Sequence, residues 1–207
     1  MKLLIAVPSL DFMHVDFVKS LTGLILRLKD EGEDFDLMIE SGTLVHMARD
    51  KIACRAINEG YTHVLWLDAD MVFTPDLLED LRFSGKDFVT GICHSRRPPF
   101  GGCLFENLDL KHLKRLNGPY PVSPFRVAGC GFACVLIRTE ILKAVQEHYR
   151  TCFTPMVGYG EDTAFCLRAG ELGYEIWAEP TVRPGHIGHI AIYPEDYEKW
   201  MAQLQTK

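Results

Sequence analysis

The sequence predicts a single-domain α/β protein in which helices flank a mostly parallel, Rossmann-like sheet. Short apolar segments of strand length alternate with helical patterns through the first half of the chain, which is typical of repeated β-α units. Residues 63–67 form a mostly apolar run of the kind found in strands buried on both faces of a parallel sheet. A length of 207 residues suits one domain, and 47% hydrophobic and 24% charged residues are ordinary for a globular protein.

The elements of the first half follow from periodicity and from capping residues. They are, in order, a strand at 3–7, an amphipathic helix that ends before Gly32, a strand at 35–39, a helix that ends before Gly60, a strand at 63–67, a helix that begins at Thr74 and Pro75, and a strand at 88–92. Parallel sheets of this type have right-handed crossovers and bind ligands outside the carboxyl ends of their strands.

The second half of the chain is less regular. Residues 94–128 are rich in proline and glycine, which predicts long loops over the sheet. The elements predicted after them are a strand at 135–137, a helix from Thr139 to His148, a glycine-containing loop at 157–160, a helix from Glu161 to Leu172, a strand at 174–178, a loop at 184–189 and a last helix from Pro194.

Composition and charge exclude several classes of protein. A net charge of -6 argues against a nucleic-acid binder that neutralises phosphates, because such a protein needs a basic face. The apolar run after Lys2 ends at Pro8, so it reads as a first strand and not as a secretory leader. No stretch approaches the roughly 20 apolar residues of a membrane helix. The seven cysteines are scattered without a Cys-x-x-Cys pair, which favours reduced thiols. We therefore expect a cytoplasmic protein without a membrane span.

Asp68 and Asp70 directly follow the buried strand at 63–67. Two aspartates one residue apart at the end of such a strand can aim both carboxylates at one point, where hard oxygen ligands suit Mg²⁺ or Mn²⁺. A bound cation of this kind stabilises a departing diphosphate as a Lewis acid. The alternative is that the pair only solvates a loop and caps the next helix.

Two further segments carry residues with suitable chemistry. Glu161 and Asp162 open a helix after a glycine-containing loop, so a carboxylate there can take a proton from a hydroxyl, although simple capping is the alternative. His186 and His189 lie in a short loop and are candidate metal ligands through a neutral ring nitrogen, with His186 favoured by its flanking glycines. A structural histidine is the alternative.

Other motifs are weaker or missing. Arg96 and Arg97 are candidates for binding phosphate or an acidic acceptor, and Arg49 is a similar case, but most such arginines are solvated loop charges. The sequence contains no dinucleotide-binding Gly-x-Gly-x-x-Gly, no phosphate-binding P-loop and no Gly-x-Ser-x-Gly elbow. Dinucleotide-dependent and serine-hydrolase chemistries are therefore unsupported.

In their order along the chain, several short segments resemble those of family 2-like nucleotide-sugar glycosyltransferases, which have the glycosyltransferase A fold and an Asp-x-Asp (DxD) motif. The matching segments are Ala6-Val7-Pro8-Ser9, Ala48-Arg49-Asp50, Leu67-Asp68-Ala69-Asp70-Met71, Gly160-Glu161-Asp162 and Gly185-His186-Ile187-Gly188. The resemblance spans roughly residues 1–190. Asp50 departs from it, because related sequences are expected to carry asparagine after the arginine.

The resemblance implies a role for each matching segment. Pro8, Ser9 and Glu40 would contact the nucleoside of the donor, and Arg49 would lie near the donor. For the Mn²⁺ or Mg²⁺ ion, Asp70 would be a direct ligand and His186 a further one, while Asp68 would approach the ribose or complete the metal shell. Asp162 would be the general base of an inverting reaction, with Glu161 the reserve choice. Residues 1–92 would then be the nucleotide-sugar-binding half of the domain, and residues 93–207 the acceptor and catalytic half.

The resulting expectation is a metal-dependent glycosyltransferase that moves a sugar from a UDP- or GDP-sugar to an acceptor hydroxyl, with inversion. The acceptor stays open, although the acidic net charge disfavours nucleic acid. Two alternatives use the same residues: a metal-dependent phosphate or sugar-phosphate hydrolase with water as acceptor, and a non-catalytic nucleotide-sugar binding protein. The products formed with and without an acceptor distinguish the three.

Overall fold

A mixed sheet of seven strands forms the centre of the protein in the computed structural model, which describes residues 1–188. Its strands are, in spatial order, β2 (Asp34–Glu40), β1 (Lys2–Pro8), β3 (His63–Leu67), β10 (Cys134–Arg138), β5 (Phe88–Gly91), β11 (Ile176–Glu179) and β8 (Phe125–Val127). Two smaller sheets pair β12 (Gly185–His186) with β4 (Met71–Val72), and β7 (Lys114–Leu116) with β6 (Leu104–Asn107) and β9 (Gly129–Cys130).

Most strands of the main sheet run in one direction. β1 pairs in parallel with β2 and β3, and β5 pairs in parallel with β11. β10 lies between β3 and β5 and is antiparallel to both, and β8 is antiparallel to β11 at the sheet edge. The described residues also form five helices: α1 (Val15–Asp30), α2 (Val45–Asn58), α3 (Leu77–Phe83), α4 (Thr139–Tyr149) and α5 (Glu161–Glu171). The predicted α/β fold, with a mostly parallel sheet flanked by helices, is confirmed.

Two hydrophobic layers cover the two faces of the sheet. Alternate residues of the central strands point to opposite faces, so that Leu4, Val64 and Val135 belong to one layer, and Ile5 and Leu65 to the other. The first layer includes buried residues of α2, α4 and α5, and the second includes those of α1 and α3. Among the helices in residues 1–188, none is both long and apolar enough to cross a membrane.

Some predicted elements differ from the structure. The helix predicted to begin at Thr74 and Pro75 begins at Leu77, because Leu77 N–H bonds to Thr74 O in a three-residue turn before the first helical hydrogen bonds. Residues 94–128, predicted as long loops, contain three short strands, β6 to β8, and β9 follows directly after them. Their pairing is irregular, with a register shift between β6 and β7, which explains the missing periodicity. The helix predicted from Pro194 and the candidate ligand His189 lie outside the described residues.

Candidate active site

A tight turn follows β3 at the carboxyl edge of the sheet. The amide N–H of Asp68 donates to Ala133 O over 3.1 Å, and that of Met71 donates to Asp68 O over 3.2 Å. The turn sends the two aspartate side chains to different partners, namely Arg49 for Asp68 and His186 with Arg96 for Asp70. That both carboxylates bind one cation stays a prediction.

A buried arginine lies beneath the first aspartate. Arg49 is 2% exposed, and its Nη2 donates to Asp68 Oδ1 over 2.8 Å. The guanidinium lies 5.3 Å from the ring centroid of Phe132 and 6.0 Å from that of Phe153, within the range of cation–π attraction. Its Nη1 is 3.9 Å from Glu161 Oε1, and neither Nη1 nor Nε has a hydrogen-bond partner among the residues that the structure describes. Arg49 is therefore the buried cation between the turn after β3 and the beginning of α5.

The charge of this arginine acts on two carboxyl groups. Burial raises the pKa of Asp68 above its ordinary value, and the positive charge of Arg49 opposes that shift. Burial likewise raises the pKa of Asp162, again with Arg49 in opposition. Without the arginine both carboxylates would ionise less readily, because burial penalises the charged form.

The second aspartate meets His186 through the small β4–β12 ladder. In this ladder His186 lies opposite Met71, and the N–H of Ile187 donates to Asp70 O over 2.8 Å. His186 Nδ1 is 2.8 Å from His94 O and donates to that carbonyl, so that Nε2 faces Asp70 Oδ2 at 3.4 Å. The hydrogen bond to Asp70 raises the pKa of His186. The pairing of two short strands thus unites residues that are far apart in the chain.

Arg96 forms a close ion pair with the same oxygen of Asp70. Burial alone would raise the pKa of Asp70, but the hydrogen bond with His186 and the charge of Arg96 outweigh it, so the pKa lies below its ordinary value. Asp70 is therefore an ionised carboxylate with two cationic or donating neighbours. Arg96 and Arg97 are neighbours in the sequence, and Arg96 is the one that contacts Asp70.

The donor set fits a divalent cation that takes few protein ligands. Asp70 supplies a carboxylate, and His186 supplies Nε2, whose ring is oriented by the bond from Nδ1 to a carbonyl. Within residues 1–188, no group of three or more His, Cys, Asp or Glu side chains converges closely enough to hold a metal ion. Mg²⁺ commonly needs only one or two carboxylates because water and phosphate complete its shell. A cation at Oδ2 of Asp70 would compete with the guanidinium of Arg96.

Asp162 lies at the start of α5 beside a small cavity. Its Oδ1 accepts a hydrogen bond of 2.7 Å from the N–H of Thr163. The cavity has a volume of about 260 Å³, and its walls include Cys103, Arg115 and Tyr159. A carboxylate whose pKa is raised by burial is a stronger base than an ordinary aspartate, which suits proton abstraction near neutral pH.

Asp50 anchors the loop that leads to these carboxylates, a role that the sequence did not reveal. Its Oδ1 accepts hydrogen bonds from the N–H groups of Cys152 and Phe153, each 2.9 Å long, and its Oδ2 accepts one of 3.0 Å from the Thr151 hydroxyl. From the other side, the buried Arg168 of α5 donates to the carbonyls of residues 152 and 154 over 2.9 and 2.7 Å. α2 and α5 thus hold the 151–154 loop from both sides.

The predicted nucleoside residues lie together at the carboxyl ends of β1 and β2. Pro8 pairs with Glu40 in the parallel register, and Ser9 N–H donates to Glu40 O over 2.8 Å. The Glu40 carboxylate forms an ion pair of 2.6 Å with Lys51. Because β1 lies directly beside β3, this group is one strand away from Asp68. Every predicted site residue within the described range therefore lies along one edge of the sheet.

Solved structures share this fold. The crystal structure of A197 from STIV matches 91% of this chain and 87% of its own, at 19% identity and a TM-score of 0.62. The catalytic domain of Drosophila beta1,4-galactosyltransferase 7, solved in complex with xylobiose, matches 98% of this chain and 79% of its own, at 13% identity and a TM-score of 0.52. No protein-family model and no curated protein sequence matches the chain. The protein thus has a glycosyltransferase-like α/β fold.

Proposed function

We propose that the protein is a glycosyltransferase that uses a UDP- or GDP-sugar together with Mn²⁺ or Mg²⁺. The observation that carries this proposal is the convergence of three distant segments at one sheet edge. The Asp70–His186 pair and the Asp162 cavity flank a buried Arg49 that contacts Asp68 and approaches Glu161. A cation-binding pair beside a shielded base is the arrangement that transfer from a diphosphate donor requires.

The donor would lie along the carboxyl ends of β1, β2 and β3. Pro8, Ser9 and Glu40 would contact the nucleoside, and Asp70 with His186 would hold the cation at the diphosphate. When bound, the cation supplies positive charge that stabilises the departing diphosphate. Arg49 favours the ionised form of Asp68 and holds this side chain in position at the floor of the same site.

Asp162 would act on the acceptor from the neighbouring cavity. Its carboxylate takes the proton of the acceptor hydroxyl while that oxygen bonds to the anomeric carbon of the donor sugar. The bond from the anomeric carbon to the diphosphate oxygen breaks on the opposite side, so that the sugar configuration inverts. The raised pKa of Asp162 supports this role, because its conjugate acid forms more readily than that of an exposed aspartate.

The decisive experiment is a calorimetric binding screen of uridine-, guanosine- and cytidine-diphosphate sugars with and without Mn²⁺. We expect Mn²⁺ to strengthen binding of one nucleotide class by at least about tenfold. Asp70→Asn should remove that gain, while Asp30→Asn, at the exposed end of α1, should keep it. Metal-independent binding, or an unchanged gain in Asp70→Asn, would exclude the proposed donor site.

Product analysis tests the reaction itself. A transferase forms a glycosylated acceptor and little free sugar when its true acceptor is supplied. A hydrolase using the same residues releases free sugar whether or not an acceptor is present. A non-catalytic binding protein forms neither product, and Asp162→Asn then changes no rate.

A further inference from the structure

A second cavity borders the Asp70–His186 pair, on the side of the loop after β5. Its volume is about 540 Å³, and His186 and Arg96 form the wall that it shares with the candidate cation site. The opposite walls come from Phe100 and Tyr120 of the 94–128 region and from Arg183 before β12. We call this space the basic cavity. It is separate from the cavity that Asp162 lines.

The charge of the basic cavity is opposite to that of the whole protein. The chain has a net charge of -6, yet the described residues that line the cavity include two arginines and no carboxylate; Arg96 is paired with Asp70 behind the wall, whereas Arg183 forms no ion pair among the described residues. Cationic groups that line a concave site focus their field into it and attract anions. A neutral ligand would not need this arrangement.

Arg183 has donors left for a ligand. Its Nε donates to Pro180 O over 2.9 Å, which orients the side chain from its base. Within residues 1–188 its two terminal nitrogens form no ion pair, and the side chain is exposed to the cavity. A guanidinium held in this way offers two parallel N–H groups, the geometry that carboxylate and phosphate oxygens match.

The remaining wall is held in place and is partly apolar. His94 Nδ1 lies 2.8 Å from Phe100 O, and the Tyr120 hydroxyl lies 3.1 Å from His94 Nε2 and donates to Leu116 O over 3.0 Å. The Tyr120 ring also stacks on Phe125, with centroids 6.1 Å apart. Aromatic and apolar faces combined with a few fixed polar groups are typical of small-molecule sites. The wall thus offers a ring face as well as charge.

We propose that the basic cavity is a subsite for an anionic sugar, one that carries a carboxylate or a phosphate group, on the donor or the acceptor. This inference rests on the proposed function, because the choice of a sugar as the carrier of the anionic group comes from that function. Arg183 binds the acidic group, and the sugar ring lies against Phe100 and Tyr120. The proposed function does not say whether the transferred or accepting sugar is neutral or anionic, and this inference assigns it to the anionic sugars.

The test is a chemical-shift titration of the isotope-labelled full chain with glucose, glucuronate and glucose 6-phosphate in the presence of a chelator. The chelator prevents cation-bridged phosphate binding. At least one acid should bind about tenfold more tightly than glucose, the difference expected for one charge-assisted pair. The two acids separate the carboxylate from the phosphate class. Equal binding of all three sugars would overturn the proposal.

Variants locate the binding. Arg183→Gln should reduce acid binding to the level of glucose, Arg183→Lys should retain part of it, and Arg126→Gln, an exposed arginine of β8, should leave it unchanged. Acid binding that survives in Arg183→Gln, or that Mn²⁺ with UDP or GDP displaces, would refute a separate subsite. Nucleotide binding in Mn²⁺ is measured on the same sample. If nucleotide binds but the acids do not exceed glucose, the subsite fails and the proposed function stands. If no nucleotide binds, the proposed function fails on its own.

Discussion

Replacing Arg49 tests the electrostatic centre of the site. Arg49→Met removes a guanidinium that is 2% exposed but keeps apolar bulk against the rings of Phe132 and Phe153. The variant leaves Asp68 without its 2.8 Å partner. Breaking a fully buried pair costs about 3–5 kcal/mol, and because the Asp68 side chain is 29% exposed we expect the lower end, about 3 kcal/mol at pH 7.

The loss should depend on pH with a definite sign. The pKa of Asp68 is already above its unfolded value, so this carboxyl costs stability as pH rises through its folded pKa. Arg49 opposes that shift, and the pKa of Asp68 therefore rises further in Arg49→Met. The variant should thus lose little stability near pH 4, where a protonated carboxyl needs no cation, and its full deficit at pH 7.

Urea unfolding followed by circular dichroism measures the effect at both pH values. In thermal unfolding at pH 7 the melting temperature should fall by about 6–12 °C, since each kcal/mol shifts it by about 2–4 °C in a chain of this size. Arg55→Met is the matched control, because Arg55 is an exposed residue of the same helix paired with Glu59, and its removal should change the unfolding free energy little. Adding Asp68→Asn to Arg49→Met should recover part of the loss. Equal losses in the two arginine variants, or a deficit that does not change with pH, would refute this reasoning.

Two further variants test the 151–154 loop and the proposed base. Asp50→Ala removes three hydrogen bonds to residues 151–153 and should cost roughly 3 kcal/mol in urea unfolding, whereas Asp50→Asn, which keeps an acceptor oxygen, should cost less; equal costs would mean that the hydrogen bonds do not hold the loop. Asp162→Asn should lower the transfer rate by about 10²–10⁴-fold with donor binding unchanged, and Glu147→Gln, at an exposed position of α4, is its control. In the unmodified protein the rate should fall on the acidic side at a higher pH than the ordinary aspartate value of 3.8, because the base must lose its proton and its pKa is raised; a fall only below that value would exclude Asp162 as the base.

The parts of the fold that depend on local pattern were predictable. The strands that become β1, β2 and β3 have strand-length apolar runs, and the position of Asp68 at a strand end follows from the run before it. The direction of β10 was not predictable, because the apolar residues 135–137 fit a parallel or an antiparallel neighbour equally well. The same applies to β6–β9, whose short irregular pairs leave no period in the sequence.

The sequence predicted most residues of the candidate site but not the contacts between them. Asp68, Asp70, Asp162 and His186 could be named because their residue types and positions suggest chemistry. The Arg49–Asp68 contact joins residues 19 positions apart, and an arginine on a helix gives no sign that tertiary packing will bury it. In the sequence, Asp50 was noted only because it departs from the asparagine expected in related glycosyltransferases. Its hydrogen-bond partners lie about a hundred positions further along the chain, so their contact could not be seen in the sequence.

The central position of β10 affects how the polypeptide can be divided. β10 comes from the second half of the chain but lies between β3 and β5 of the first half, with ladders to both. A fragment ending after β5 would therefore lack the strand between β3 and β5 and would leave one edge of each unpaired. Unpaired strand edges are templates for pairing with another chain. The nucleotide-binding half that the resemblance suggests cannot be excised as an independent module. Ribosomal synthesis must supply β10 before the sheet can close, so an aggregation-prone edge persists until more than half of the chain has emerged.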